Sequence, residues 1–81
     1  MAKETKTREQ LAEIVMREAR TSGKCGDLQS VHVIGPIARP YTNWDIASSW
    51  NRPTRLVSAL CRAELNVIVG RLQAQYDLSG D

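Results

Sequence analysis

The last third of the chain predicts one long helix that is apolar on more than one face. From Arg55 to Tyr76, apolar residues recur at the three- and four-residue spacing of an α-helix, and polar residues share the opposite stripe. The apolar positions are Leu56, Val57, Leu60, Cys61, Leu65, Val67, Ile68, Leu72 and Tyr76. A helix of this kind needs a partner on two sides. In so short a chain one partner is the rest of the fold, and we expect the other to be a second subunit.

The length of the chain limits it to one domain with a modest core. At 81 residues, a domain is only marginally stable unless it is cross-linked or oligomeric. We therefore expect a single domain over residues 1–81, with residues 1–6 frayed and 79–81 forming a tail. The net charge of +2 is too balanced to indicate a nucleic-acid-binding protein by charge alone.

A first helix is predicted from Arg8 to Thr21. Thr7 and Gln10 have the spacing of a capping box, in which each side chain binds the backbone amide of the other residue. Gly23 follows the last predicted turn, where a left-handed residue commonly ends a helix.

Two short strands are predicted between the helices. Residues 30–34 are rich in β-branched side chains, and residues 43–50 alternate, placing Trp44, Ile46 and Trp50 on one face. Trp44 is therefore predicted to lie in the core. The connection from Gly35 to Thr42 contains two prolines and suits a long antiparallel loop, whose register stays open. The predicted fold is α+β in the order αββα, with a two-stranded antiparallel hairpin packed on two helices.

The two cysteines, Cys25 and Cys61, are predicted to be reduced thiols. They form no Cys-x-x-Cys pair, and a zinc site of four protein ligands would need carboxylates as well as both thiols and His32, the single histidine. The first residues are charged and lack the apolar core of a signal peptide, and no stretch is long and apolar enough to span a bilayer. We expect a cytoplasmic protein without a metal, a cofactor or a membrane partner.

The order of motifs along the chain resembles that of small bacterial αββα proteins of unknown function. The resemblance depends on a short amphipathic helix, on a strand with Asn43-Trp44-Asp45, and on a last helix ending in Leu72-Gln73 and Tyr76-Asp77-Leu78. It implies the same architecture and no particular activity.

Basic and aromatic side chains gather where the predicted hairpin meets the second helix. Arginine charge together with aromatic stacking is typical of proteins that bind single-stranded nucleic acid. Lys24 lies in a Gly-x-x-Gly turn, the form of the backbone clamp in KH modules. That module needs a second helix directly after the loop and a strand is predicted here, so a helix end followed by a turn is favoured. A capped helix start with arginines on a solvated face explains the same pattern, so nucleic-acid binding is the alternative function. Its contact residues would be Lys24, Arg39, Trp50, Arg52, Arg55 and Arg62.

Two carboxylates fall on predicted apolar helix faces. Glu18 lies among the core positions of the first helix and Glu64 among those of the second, so each needs a partner. Arg71, one heptad from Glu64, is the predicted partner within the chain or across a dimer. With His32 the carboxylates would offer acid–base chemistry, but no nucleophile spacing or Gly-rich loop accompanies them. Structural pairing and a non-enzymatic role are favoured.

The favoured function is that of a small interaction or accessory protein that forms a homodimer or binds a protein partner. Five residues of the long helix are predicted to face the core, which leaves a second apolar strip. The candidate interface consists of Leu56, Leu60, Ala63, Glu64, Val67 and Arg71. The rival geometry joins the exposed strand edges of two copies.

Overall fold

The computed structural model describes residues 3–79, which form a mixed α/β fold with two α-helices and four short strands. The order is β1 (Glu4–Lys6), α1 (Arg8–Ser22), β2 (Leu28–Ile34), β3 (Asp45–Trp50), a 3-10 turn (Thr54–Leu56), α2 (Ala59–Gln75) and β4 (Tyr76–Leu78). The predicted order αββα is thus extended by a strand at each end. β1 pairs with β4, and β2 pairs with β3.

Helix α1 begins and ends where local signals predict. Thr7 Oγ1 accepts a 3.2 Å hydrogen bond from the Gln10 amide, and Gln10 Oε1 accepts a 2.9 Å bond from the Thr7 amide. Gly23 ends the helix in the left-handed region with φ 72°. The predicted capping box and helix end are confirmed, because both depend on residues within one turn of the helix.

Strands β2 and β3 form the predicted antiparallel hairpin. Val31 lies opposite Ser48, and a register shift between Leu28 and Ser30 bends the start of β2. Trp44 is fully buried, as predicted, although β3 begins one residue after it.

Strands β1 and β4 bring the two ends of the described chain together in parallel. Glu4 lies opposite Tyr76 and Lys6 opposite Leu78, and the Ser79 amide donates a 2.9 Å hydrogen bond to the Lys6 carbonyl. The expectation that residues 1–6 are frayed is wrong for residues 4–6. Their polar side chains carry little strand signal, and the partner strand lies at the other end of the sequence.

The side chain of Lys6 lies over the small sheet of β1 and β4. Its Nζ lies 2.6 Å from Glu4 Oε2 and 5.5 Å from the centre of the Tyr76 ring. The hydrogen bond to the Glu4 carboxylate raises the pKa of Lys6 above its usual value.

Helix α2 starts later than the sequence predicts. Residues 54–56 form a 3-10 turn, and α2 begins at Ala59 after Ser58, whose Oγ accepts a 3.1 Å hydrogen bond from the Leu60 amide. Of the other residues that could cap this helix, Asn51 lies in the preceding loop, and the side chain of Thr54 is outside the described part of the structure. Ser58 caps the helix because its hydroxyl satisfies an exposed amide of the first helical turn.

The core fills the space between the two helices, the hairpin and the ends of the chain. Every residue of α2 and its approach that was predicted to face the core is buried: Val57, Cys61, Leu65, Ile68 and Leu72. Buried side chains of β2 and β4 join them, together with three buried positions of α1, whereas β1 and β3 contribute none. These additional core residues are Leu11, Val15, Ala19, Cys25, Leu28, Val31, Trp44, Val69 and Leu78.

Cys25 and Cys61 form a disulfide bond, so the prediction of two free thiols is wrong. Their Cα atoms lie 4.9 Å apart although 36 residues separate them in sequence. No local spacing marks such a pair, because only the packing of the Gly23–Gly26 turn against α2 brings the sulfurs together. Disulfides persist mainly in oxidising compartments, so this bridge weighs against the predicted cytoplasmic location.

Candidate interaction surface

One face of α2 carries apolar or small residues along most of its length. The residues at positions 60, 63, 67, 70 and 74 follow steps of three and four, which keep them on one side of a helix. All five are exposed, including Leu60 at 70% and Val67 at 66%. We call this set the α2 stripe: Leu60, Ala63, Val67, Gly70 and Ala74.

The α2 stripe overlaps the apolar strip that the sequence predicts and extends it. Leu56, in the 3-10 turn just before α2, is also 55% exposed and continues the row toward the start of the helix. Gly70 and Ala74 were missed because small residues carry little hydrophobic signal. The signal that would have found them is the unbroken three-and-four spacing from Leu60 onward.

Charged residues border the α2 stripe on one side and connect it to α1. Lys24 Nζ lies 3.1 Å from Glu64 Oε2, and Arg71 Nη2 lies 2.5 Å from Glu18 Oε1. Within the chain, Glu64 and Arg71 therefore do not pair with each other as predicted. Arg71 pairs with α1, and Glu64 pairs with the turn after α1. Seven residues correspond to roughly 10 Å along a helix, which is too far for a direct contact.

Several cations of the predicted nucleic-acid patch form ion pairs with carboxylates of the same chain. Lys24 pairs with Glu64, and Arg39 and Arg52 approach Asp45 and Asp27 at 3.1 and 3.0 Å. A neighbouring carboxylate offsets the positive charge that phosphate groups would otherwise meet.

Two other residues of that patch do lie together. Trp50 and Arg62 line an open cleft of about 250 Å³ between β3 and α2, with Leu65 at its base and Ser48 and Asn66 beside it. Arg55 is exposed in the 3-10 turn. Binding of nucleic acid stays a prediction, and Lys24, Arg39 and Arg52 among its contact residues already lie in ion pairs.

The residues considered for acid–base chemistry are placed apart from one another. His32 is exposed on β2 and lines an open cleft of about 240 Å³ with Arg8 and Glu9. Glu18 and Glu64 instead face the cations that border the α2 stripe. This arrangement favours structural ion pairs over a catalytic group of convergent residues.

Within residues 3–79, no group of three or more His, Cys, Asp or Glu side chains is placed to hold a metal ion. Neither helix of the same range has the length and apolar character needed to cross a membrane.

Comparisons of the chain with protein-family models, with curated proteins and with solved structures find no match. The resemblance to small bacterial proteins therefore stays a prediction.

Proposed function

We propose that this protein is a non-enzymatic interaction protein that acts by self-association through the α2 stripe. The observation that carries the proposal is the continuity of that surface. Single exposed apolar residues are normal on a globular protein, whereas a contiguous apolar patch commonly marks an interaction site. The opposite face of α2 already packs in the core, so the stripe is the remaining apolar face of the helix.

The size of the stripe predicts a weak and concentration-dependent dimer. Burying a large aliphatic side chain contributes roughly 1.5–3 kcal/mol, and the stripe holds two such side chains, Leu60 and Val67. Association costs about 4 kcal/mol or more in lost freedom of motion. One pair of helices also buries less than the roughly 800 Å² per partner of a standard interface. We therefore expect a dissociation constant in the micromolar range or weaker.

The rival geometry joins the hairpins of two copies. β2 and β3 form a two-stranded sheet, so each strand has an edge without a strand neighbour in the described chain. Ile34, at the end of β2, is 47% exposed. Such an interface would leave the α2 stripe in water.

Sedimentation equilibrium on the wild type and Leu60→Glu tests the proposal. Leu60 is exposed, so the variant should keep the fold of the monomer while placing a charge within the contact. The matched control is Ala38→Glu, which adds the same charge on the exposed loop between β2 and β3. Circular dichroism should give the same spectrum for all three proteins.

We expect the wild type and Ala38→Glu to dimerise and Leu60→Glu to remain monomeric. A wild type that stays monomeric at high micromolar concentration rejects self-association. A dimer that survives Leu60→Glu rejects the α2 stripe and favours the strand edges.

A further inference from the structure

We infer that two copies join their α2 helices antiparallel, about a twofold axis that passes beside Val67. The inference rests on the proposed self-association and adds its geometry. Val67 is the central residue of the α2 stripe, with two stripe positions on each side. Steps of three and four are the spacing at which two helices pack along a common seam at a small crossing angle.

The charges that border the stripe favour the antiparallel arrangement. Glu64 precedes Val67 by three residues and Arg71 follows it by four. About an axis at Val67, Glu64 lies beside Arg71 of the second copy, and the same contact occurs again by symmetry. A parallel pair would instead place this charged edge of the two copies on opposite sides of the seam, where Glu64 and Arg71 would face the uncharged positions Asn66 and Gln73. Exposed ion pairs add little stability, but only the antiparallel orientation brings opposite charges of the two copies together.

The sizes of the stripe residues favour the same orientation. An axis at Val67 places Leu60 opposite Ala74 of the second copy and Ala63 opposite Gly70. Leu60 then meets a small residue at each end of the seam, and Ala63 and Gly70 allow a close approach between each end and Val67. A parallel pair would place Leu60 against Leu60 and Gly70 against Gly70, leaving a gap at one end of the seam that close packing disfavours.

This contact accounts for Gly70, whereas no neighbouring atom of residues 3–79 does. A glycine inside a helix lowers stability by roughly 0.5–1 kcal/mol relative to alanine. A Cβ atom at this position would meet no atom within 4 Å, so the fold of one copy has room for a larger residue. A second helix that approaches closely at this point requires the absence of a side chain.

Cysteine cross-linking with the native bridge intact tests the geometry. The variants are Val67→Cys, Leu60→Cys and Ala74→Cys, each oxidised mildly alone, and the last two also as a mixture. Disulfide formation requires Cα atoms within about 7 Å. In the antiparallel dimer Val67→Cys should cross-link to itself, and the mixture should give a Leu60→Cys to Ala74→Cys product. Leu60→Cys alone should cross-link poorly, since its two copies lie about 20 Å apart.

The outcomes separate the geometry from the self-association itself. Efficient cross-linking of Leu60→Cys to itself without the mixed product means a parallel pair and overturns the inference, while the proposed function survives. If no variant cross-links but sedimentation shows a dimer, the interface lies elsewhere and both the geometry and the α2 stripe are rejected. If no variant cross-links and the wild type is monomeric, the proposed function fails and the inference with it.

Gly70→Leu gives an independent readout. It should weaken the dimer about tenfold or more, because a large side chain overpacks a close helix contact. The melting temperature of the dilute monomer should stay unchanged or rise, because leucine is the better helix former. A dissociation constant equal to that of the wild type overturns the close approach at Gly70.

Discussion

The indole Nε1 of Trp44 donates a 3.0 Å hydrogen bond to the carbonyl oxygen of Tyr76. The carbonyl oxygen of Trp44 in turn accepts a 2.7 Å bond from Gln73 Nε2. The segment before β3 is thereby held against the end of α2 and the start of β4. A fully buried aromatic ring with a satisfied N–H group closes this end of the core.

Replacing Trp44 by Ala should lower the free energy of unfolding by about 3–5 kcal/mol, because it leaves a large cavity in the core. That loss is comparable to the whole stability of a domain this small. Chemical denaturation of the variant and the wild type measures the difference. Trp50→Ala is the matched control and should cost less, since Trp50 is half-buried at the edge of an open cleft. Equal free energies of unfolding for Trp44→Ala and wild type would contradict the burial of this ring.

Asn43→Asp should destabilise the protein by about 1–3 kcal/mol, because one of two part-buried hydrogen bonds is lost. Asn43 Nδ2 donates a 2.9 Å bond to the Leu78 carbonyl, and Asn43 Oδ1 accepts a 2.8 Å bond from the Leu78 amide. In the variant, the carboxylate still accepts the bond from the Leu78 amide, but it has no N–H group to donate to the Leu78 carbonyl. The measurement is the unfolding midpoint in urea. Asn51→Asp, at an exposed loop position, is the control and should leave it nearly unchanged.

The denatured and unreduced protein should contain no reactive thiol, because the chain has two cysteines and both belong to the Cys25–Cys61 bridge. Thiol titration in denaturant with and without a reductant measures this directly. Reduction should lower the free energy of unfolding by about 2–4 kcal/mol, the usual effect of opening a long loop in the unfolded chain. Two reactive thiols before reduction would show that the bridge does not form.

Gly35→Ala should destabilise the protein strongly. Gly35 has φ 148°, and a Cβ atom there would lie 2.6 Å from the Asn43 carbonyl oxygen, so the backbone would have to shift. Gly26→Ala is the matched control, because a Cβ atom at Gly26 meets nothing within 4 Å. Thermal unfolding of the two variants compares them. A melting temperature for Gly35→Ala equal to that of Gly26→Ala would contradict the close approach.

Local signals in the sequence determined the elements in the middle of the fold. The ends of α1 are marked by Thr7 and Gln10 at its start and by Gly23 just after its last residue. Alternation of side chains marks β2 and β3. The buried face of α2 follows from its helical spacing alone. Capping, alternation and helical periodicity all act over a few neighbouring residues, which is why a single sequence reveals them.

The same holds for part of the candidate surface. Leu60 and Val67 were predicted to be exposed on the second face of α2, because the core can use only one face of a helix. Gly70 and Ala74 became part of the surface only when the structure showed that no other element covers this side of the described chain.

Contacts between distant parts of the chain were decided by the tertiary structure. The pairing of β1 with β4, the Cys25–Cys61 bridge and the ion pair of Glu18 with Arg71 each join residues far apart in sequence. Polar strands such as Glu4–Lys6 have weak intrinsic preferences, so their conformation depends on the partner strand that packing supplies. The choice of partner in each ion pair, and the approach of the two cysteine sulfurs, depend on distances between packed elements. These distances are set only when the core has formed.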